Sequence, residues 1–89
     1  MAIHPEGART LASLQKGQSA RVTALGQDDP RTAARMLELG FAPGEELRVV
    51  ATAPGGFPIA VRVGGSTFAL REPEAQLVQV ALATVEGPP

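Results

Sequence analysis

Cysteine is absent from this 89-residue chain, and so are tryptophan and tyrosine. Without thiols there is no disulfide and no thiolate metal ligand, so apolar packing has to hold the fold, and the composition suits a reducing compartment. The aromatic set is Phe41, Phe57 and Phe68 alone, too few and too scattered for a base-stacking platform. Neither sign of charge is in excess: 8 Lys and Arg stand against 9 Asp and Glu, and the arginines are spread along the chain between acids. A nucleic-acid footprint needs a basic stripe, so that partner class is excluded. No apolar run approaches the ~20 residues of a membrane span, and Met1 to Thr10 lacks the apolar core of a secretory signal. The expectation is a cytosolic protein with no direct membrane insertion.

Catalytic chemistry is equally thin. The single histidine, His4, falls in a segment expected to fray, and a metal or Ser-His site cannot be built on unsupported backbone. The acidic pairs Asp28-Asp29 and Glu45-Glu46 have plainer roles, a helix cap and a turn, and no loop offers the three or more converging oxygens that a divalent cation requires. The Gly-rich stretches Pro54 to Pro58 and Gly64-Gly65 neither lead into a helix nor end in Lys-Ser/Thr, so they read as turns and not as phosphate loops. No catalytic residue, cofactor site or metal site is assigned, and the protein is expected not to be an enzyme.

What remains is a pattern of short strands around one helix. A chain of this length holds a single core, with a stability of about 4–9 kcal/mol at ~0.05–0.1 kcal/mol per residue. Residues 1–9 and 84–89 read as Pro- and Gly-rich tails, leaving 10–83 as the domain. Thr10 opens a short helical turn, Leu11 to Leu14, and Ser19 to Leu25 is a first strand with Ala20, Val22 and Ala24 on one face. Asp29, Pro30 and Gly40 bracket the one substantial helix, about Arg31 to Leu39, as cap, first-turn proline and left-handed stop. Ala34, Leu37 and Phe41 are expected to form its apolar stripe.

Alternation then places strands at Glu46 to Ala53, Ile59 to Val63, Ser66 to Leu70 and Leu77 to Leu82, with a tight or single helical turn at Glu72 to Ala75. Five short antiparallel strands with one helix cover their apolar faces best by curling up, so a mainly β, five-stranded SH3-like barrel with one inserted helix is predicted. Bulky apolar residues in its loops, Leu39, Phe41 and Pro43 after the helix and Pro54, Phe57 and Pro58 in the longest hairpin, are the candidate partner-binding positions, together with Arg71. Unpaired strand edges also allow self-association.

Four segments in order, LASLQKG (11–17), AARMLELGFAPGE (33–45), VVATAPGGFP (49–58) and FALREPEA (68–75), resemble the FeoA family, ferrous-iron transport protein A. The resemblance runs from about Thr10 to Leu82. It implies an SH3-like barrel and a role in bacterial ferrous iron uptake, acting on the cytosolic, GTPase-containing part of the FeoB permease. It also implies kinship in the barrel alone with the C-terminal module of iron- or manganese-responsive repressors. Two alternatives accompany it: a GTPase-activating partner supplying Arg31, Arg35 or Arg71, and a metal-responsive regulatory domain. Transition-metal binding is a label of the family for which this sequence offers no ligand cluster.

Overall fold

Alternate residues of five strands point to one interior: Ala20, Val22, Leu47, Val49, Ile59, Val61, Val63, Leu70, Val78 and Val80 are each at most 3 % exposed. The computed structural model describes residues 9–82. The elements in order are β1 (Arg9–Thr10), a 3-10 turn (Leu11–Ser13), β2 (Ser19–Leu25), α1 (Pro30–Leu39), β3 (Glu46–Thr52), β4 (Ile59–Val63), β5 (Ser66–Leu70), α2 (Glu72–Leu77) and β6 (Val78–Leu82). All strand pairs are antiparallel, in the spatial order β1-β6-β2-β3-β4-β5. His4 and the predicted tails, apart from Arg9, lie outside the described residues.

The architecture is the predicted small barrel with one main helix, and the differences have physical reasons. There are six strands, because Arg9 and Thr10 pair with Val80 and Gln79; two residues are too short to show alternation. Hydrogen bonding does not join β1 to β5, so the sheet itself is not closed. The opening is filled by side chains instead: α2 packs on the 3-10 turn, β1 and α1, with Leu11, Leu14 and Ala75 buried there. The turn expected at Glu72 to Ala75 continues as helix to Leu77, since Glu74 accepts the Arg71 N–H at 2.9 Å and steadies the first turn.

Two bulges correct the strand faces. The β3–β4 register slips between Val49 and Ala51, so Ala51, which strict alternation with Leu47 and Val49 would send inward, is exposed. The β2–β6 register slips between Val22 and Ala24, and past it Leu25 packs on the core. The β4–β5 hairpin follows expectation: Val63 pairs with Ser66, and Gly64 and Gly65 both carry positive φ, +60° and +83°, as a two-residue turn matched to strand twist demands.

Helix α1 starts and stops where expected. Asp29 caps it, accepting the Thr32 N–H at 3.2 Å and the Thr32 hydroxyl at 2.6 Å. Gly40 ends it at φ +115°, its N–H donating to the Leu37 and Met36 carbonyls. The apolar stripe, however, is not the predicted one. Met36 is the side chain that the helix buries completely, Leu39 packs partly on the core, and Ala34 and Leu37 are exposed. The reversal at Gly40 turns Phe41 inward, where it is fully buried with its ring centroid 5.9 Å from that of Phe68.

Candidate docking surface

The face of α1 turned away from the core is where apolar surface is left uncovered. Leu37 is the one large hydrophobic side chain among the described residues that stands exposed, at 47 %. It borders a shallow groove of about 350 Å³ lined by Leu25, Gly26, Gln27, Pro30, Ala33, Ala34 and Leu37. At the groove's edge Gly26 brings the backbone tight against the last residue of α2: its N–H donates to the Leu77 carbonyl at 2.8 Å. A β-carbon at Gly26 would meet Leu77 Cδ1 at 3.2 Å. The Ala34-Leu37 spacing was readable in the sequence; its outward direction was not, because Met36 and Phe41 compete for the same interior.

The sequence-predicted positions divide into two groups that the fold holds apart. Leu39, Phe41 and Pro43 precede β3, while Pro54, Phe57 and Pro58 follow it, and seven strand residues at ~3.3 Å each put about 20 Å between the two ends. Arg71 joins the second group, because Ile59 pairs with Leu70 and so sets the next residues side by side. Pro43, Pro54, Pro58 and Arg71 are exposed, Phe57 is half-buried against the core, and Leu39 likewise. Phe41 offers no surface to a partner: its ring is wholly inside.

Beside α1 lies a second groove, of about 360 Å³, between Asp28, Asp29 and Thr32 on one wall and Pro73, Glu74 and Gln76 on the other. Two of its carboxylates are already engaged. Asp29 is held below the ordinary carboxylate range by the Thr32 hydroxyl first and the Thr32 N–H second. Glu74 takes the Arg71 N–H and the Arg35 guanidinium, the latter at 3.2 Å. Among the described residues no group of three or more His, Cys, Asp or Glu side chains could hold a metal ion. No helix among them is long and apolar enough to cross a membrane. Of the three arginines considered for a phosphoryl-transfer role, all exposed, Arg35 is the one paired with a carboxylate, that of Glu74.

The model of the FeoA domain matches residues 9–82, the entire described region. The chain belongs to the FeoA family. Family membership associates it with ferrous iron transport, as the four sequence segments implied, and FeoA-type chains are small SH3-like accessory domains. Among solved structures, the zinc complex of FeoA from Stenotrophomonas maltophilia is 45 % identical, covers 82 % of this chain and 89 % of that one, and superposes with a TM-score of 0.74. Iron(II) transport protein A from Clostridium thermocellum is 34 % identical over 82 % of this chain and 44 % of that one, with a TM-score of 0.72. The same barrel recurs inside a manganese-dependent transcriptional repressor solved with manganese, 26 % identical over 92 % of this chain and 39 % of that longer one, at a TM-score of 0.80. A search of the curated proteins finds no match.

Proposed function

We propose that this FeoA-family chain is a cytoplasmic, non-enzymatic accessory module of ferrous iron uptake. It docks on the cytosolic, GTPase-containing region of a FeoB-type permease and modulates transport. The observation that carries this reading is the family match across the whole barrel. The S. maltophilia relative, described as a candidate ferrous iron transport activating factor, supports it. The uncovered groove around Leu37 supplies an apolar anchor point of the kind that protein interfaces use. Pro54, Phe57, Pro58 and Arg71 offer a second contact at one end of β3, and Leu39 and Pro43 a third at the other.

Calorimetric titration of the full chain into the permease's cytosolic region tests it. Leu37→Ser and Phe57→Ala are each expected to weaken binding. If both bind as tightly as wild type, these surfaces are wrong; if wild type itself fails to bind, the docking function is wrong. Arg31 and Arg71, both exposed and with no side-chain ion pair among the described residues, are the arginines open to a GTPase-activating variant of this reading, and Arg71 adjoins the Phe57 contact. Unchanged GTP turnover with Arg31→Ala and with Arg71→Ala removes that variant.

A further inference from the structure

Arg48 on β3 and Arg62 on β4 are direct cross-strand partners on the outer face of the sheet, and both are exposed. Like charges in such register repel. Lys16, the chain's single lysine, is fixed beside them because its turn is pinned to β3. The Gly17 N–H donates to the Val49 carbonyl at 2.8 Å, and the Val49 N–H to the Gln18 carbonyl at 3.0 Å. Two shallow grooves, about 320 and 260 Å³, meet along the arginine pair, and Lys16 lines the smaller.

None of these three cations has a carboxylate within 4.0 Å among the described residues. The one internal bond of their head groups runs from Arg62 Nη1 to Thr67 Oγ1, long at 3.4 Å. Glu46 sits on the rim of the larger groove without neutralising the pair. A chain whose formal net charge is only −1 thus gathers three of its cations, unpaired, along one concave strip.

We infer that this strip binds the carboxylates of an acidic protein segment, Arg48 and Arg62 acting as adjacent guanidinium forks and Lys16 as a flanking charge. The planar fork matches a carboxylate through two parallel hydrogen bonds, and an anion set between the two arginines turns their repulsion into a joint attraction. A lipid surface fits less well, since electrostatic adsorption uses clusters of about 4–8 cations and here an acid borders three. Nucleic acid fits less well too, because no aromatic ring lines either groove. The inference stands whichever protein supplies the segment.

The test is an amide NMR titration of the isotope-labelled full chain with a hexaglutamate peptide, at low salt and at ~0.15 M salt, where exposed charges more than about 8 Å apart are largely screened. Shifts are expected to centre on Lys16 to Ser19, Leu47 to Val49 and Val61 to Val63. Binding is expected to weaken at least about tenfold in Arg48→Gln/Arg62→Gln, to fall with salt, and to be unchanged in Arg31→Gln on α1. The double variant is expected to melt no lower than wild type, since it relieves repulsion. A clear loss of stability would instead assign the arginines a structural role and overturn the inference. Absent shifts, shifts centred elsewhere, or binding to phosphatidylserine vesicles without binding to hexaglutamate would overturn it equally.

Discussion

Two neighbouring residues of α1 should respond to truncation in opposite measure. Met36 is fully buried and Leu37 is 47 % exposed. Removing the Met36 side chain beyond its β-carbon leaves a hole in a core lined by strands that cannot all move, at a cost of about 2–5 kcal/mol. Leu37→Ala forfeits only the buried half of a side chain worth ~1.5–3 kcal/mol when fully interred, and alanine's better helix propensity returns part of that, so the loss is below about 1 kcal/mol. Against a total of about 4–9 kcal/mol, the first change consumes much of the domain's stability and the second very little. Urea unfolding followed by circular dichroism separates them. With a slope of ~1 kcal/mol/M, Met36→Ala lowers the midpoint by about 2 M or more and Leu37→Ala by less than about 1 M. Equal shifts, or the reverse order, would refute the assignment of Met36 to the core and of Leu37 to the uncovered groove.

Three further outcomes are expected. Phe41→Ala should cost about 3–5 kcal/mol, because it empties the interior and removes the contact with Phe68; chemical denaturation checks this. Gly40→Ala should destabilise by about 1–2 kcal/mol, although its β-carbon would meet nothing closer than Val63 Cγ1 at 3.8 Å. The penalty comes from φ +115°, so a melt unchanged by this substitution would contradict the left-handed stop. For Asp29, the folded-state carboxyl titrates below its usual 3.8 because Thr32 donates to the ionised form. Its stabilisation is therefore complete above pH 3.8 and fades as pH falls below that through the folded value. The melting difference between wild type and Asp29→Ala should narrow in that acid range, and a constant difference would show that charge plays no part in the cap.

Most of this architecture was legible because local chemistry and tertiary structure agree. Asp29, Pro30 and Gly40 bracket α1 by their backbone preferences, and Gly64-Gly65 marks its hairpin through the positive φ that the turn demands. Alternation in β4 survives into the structure without change, and in β6 it holds at Val78 and Val80. Legibility failed where one residue interrupts a period: the bulge near Val50 exposes Ala51, which strict alternation sends inward. It failed also in α1, where the pattern Ala34-Leu37-Phe41 is a genuine apolar spacing but the turn at Gly40 detaches Phe41 from the helical face. Bulky apolar residues in loops mark a partner surface only by a rule of composition. That rule cannot see that one of them fills the core and that the others sit at two ends of β3. The Arg48–Arg62 pair is not legible at all, because the register between strands is not written in either strand alone.

The side-chain filling between β1 and β5 gives the barrel a seam. Elsewhere neighbouring strands are stitched through the backbone, whereas here the two margins are bridged by α2 and the 3-10 turn pressing Leu11, Leu14 and Ala75 together. Such a junction has no ladder to unzip, so its opening frees α2 without first breaking the β2–β3–β4 pairing. Amide exchange should therefore reach Ala75 to Leu77 before it reaches Val49 and Val61, and breathing of this molecule proceeds from its unstitched side.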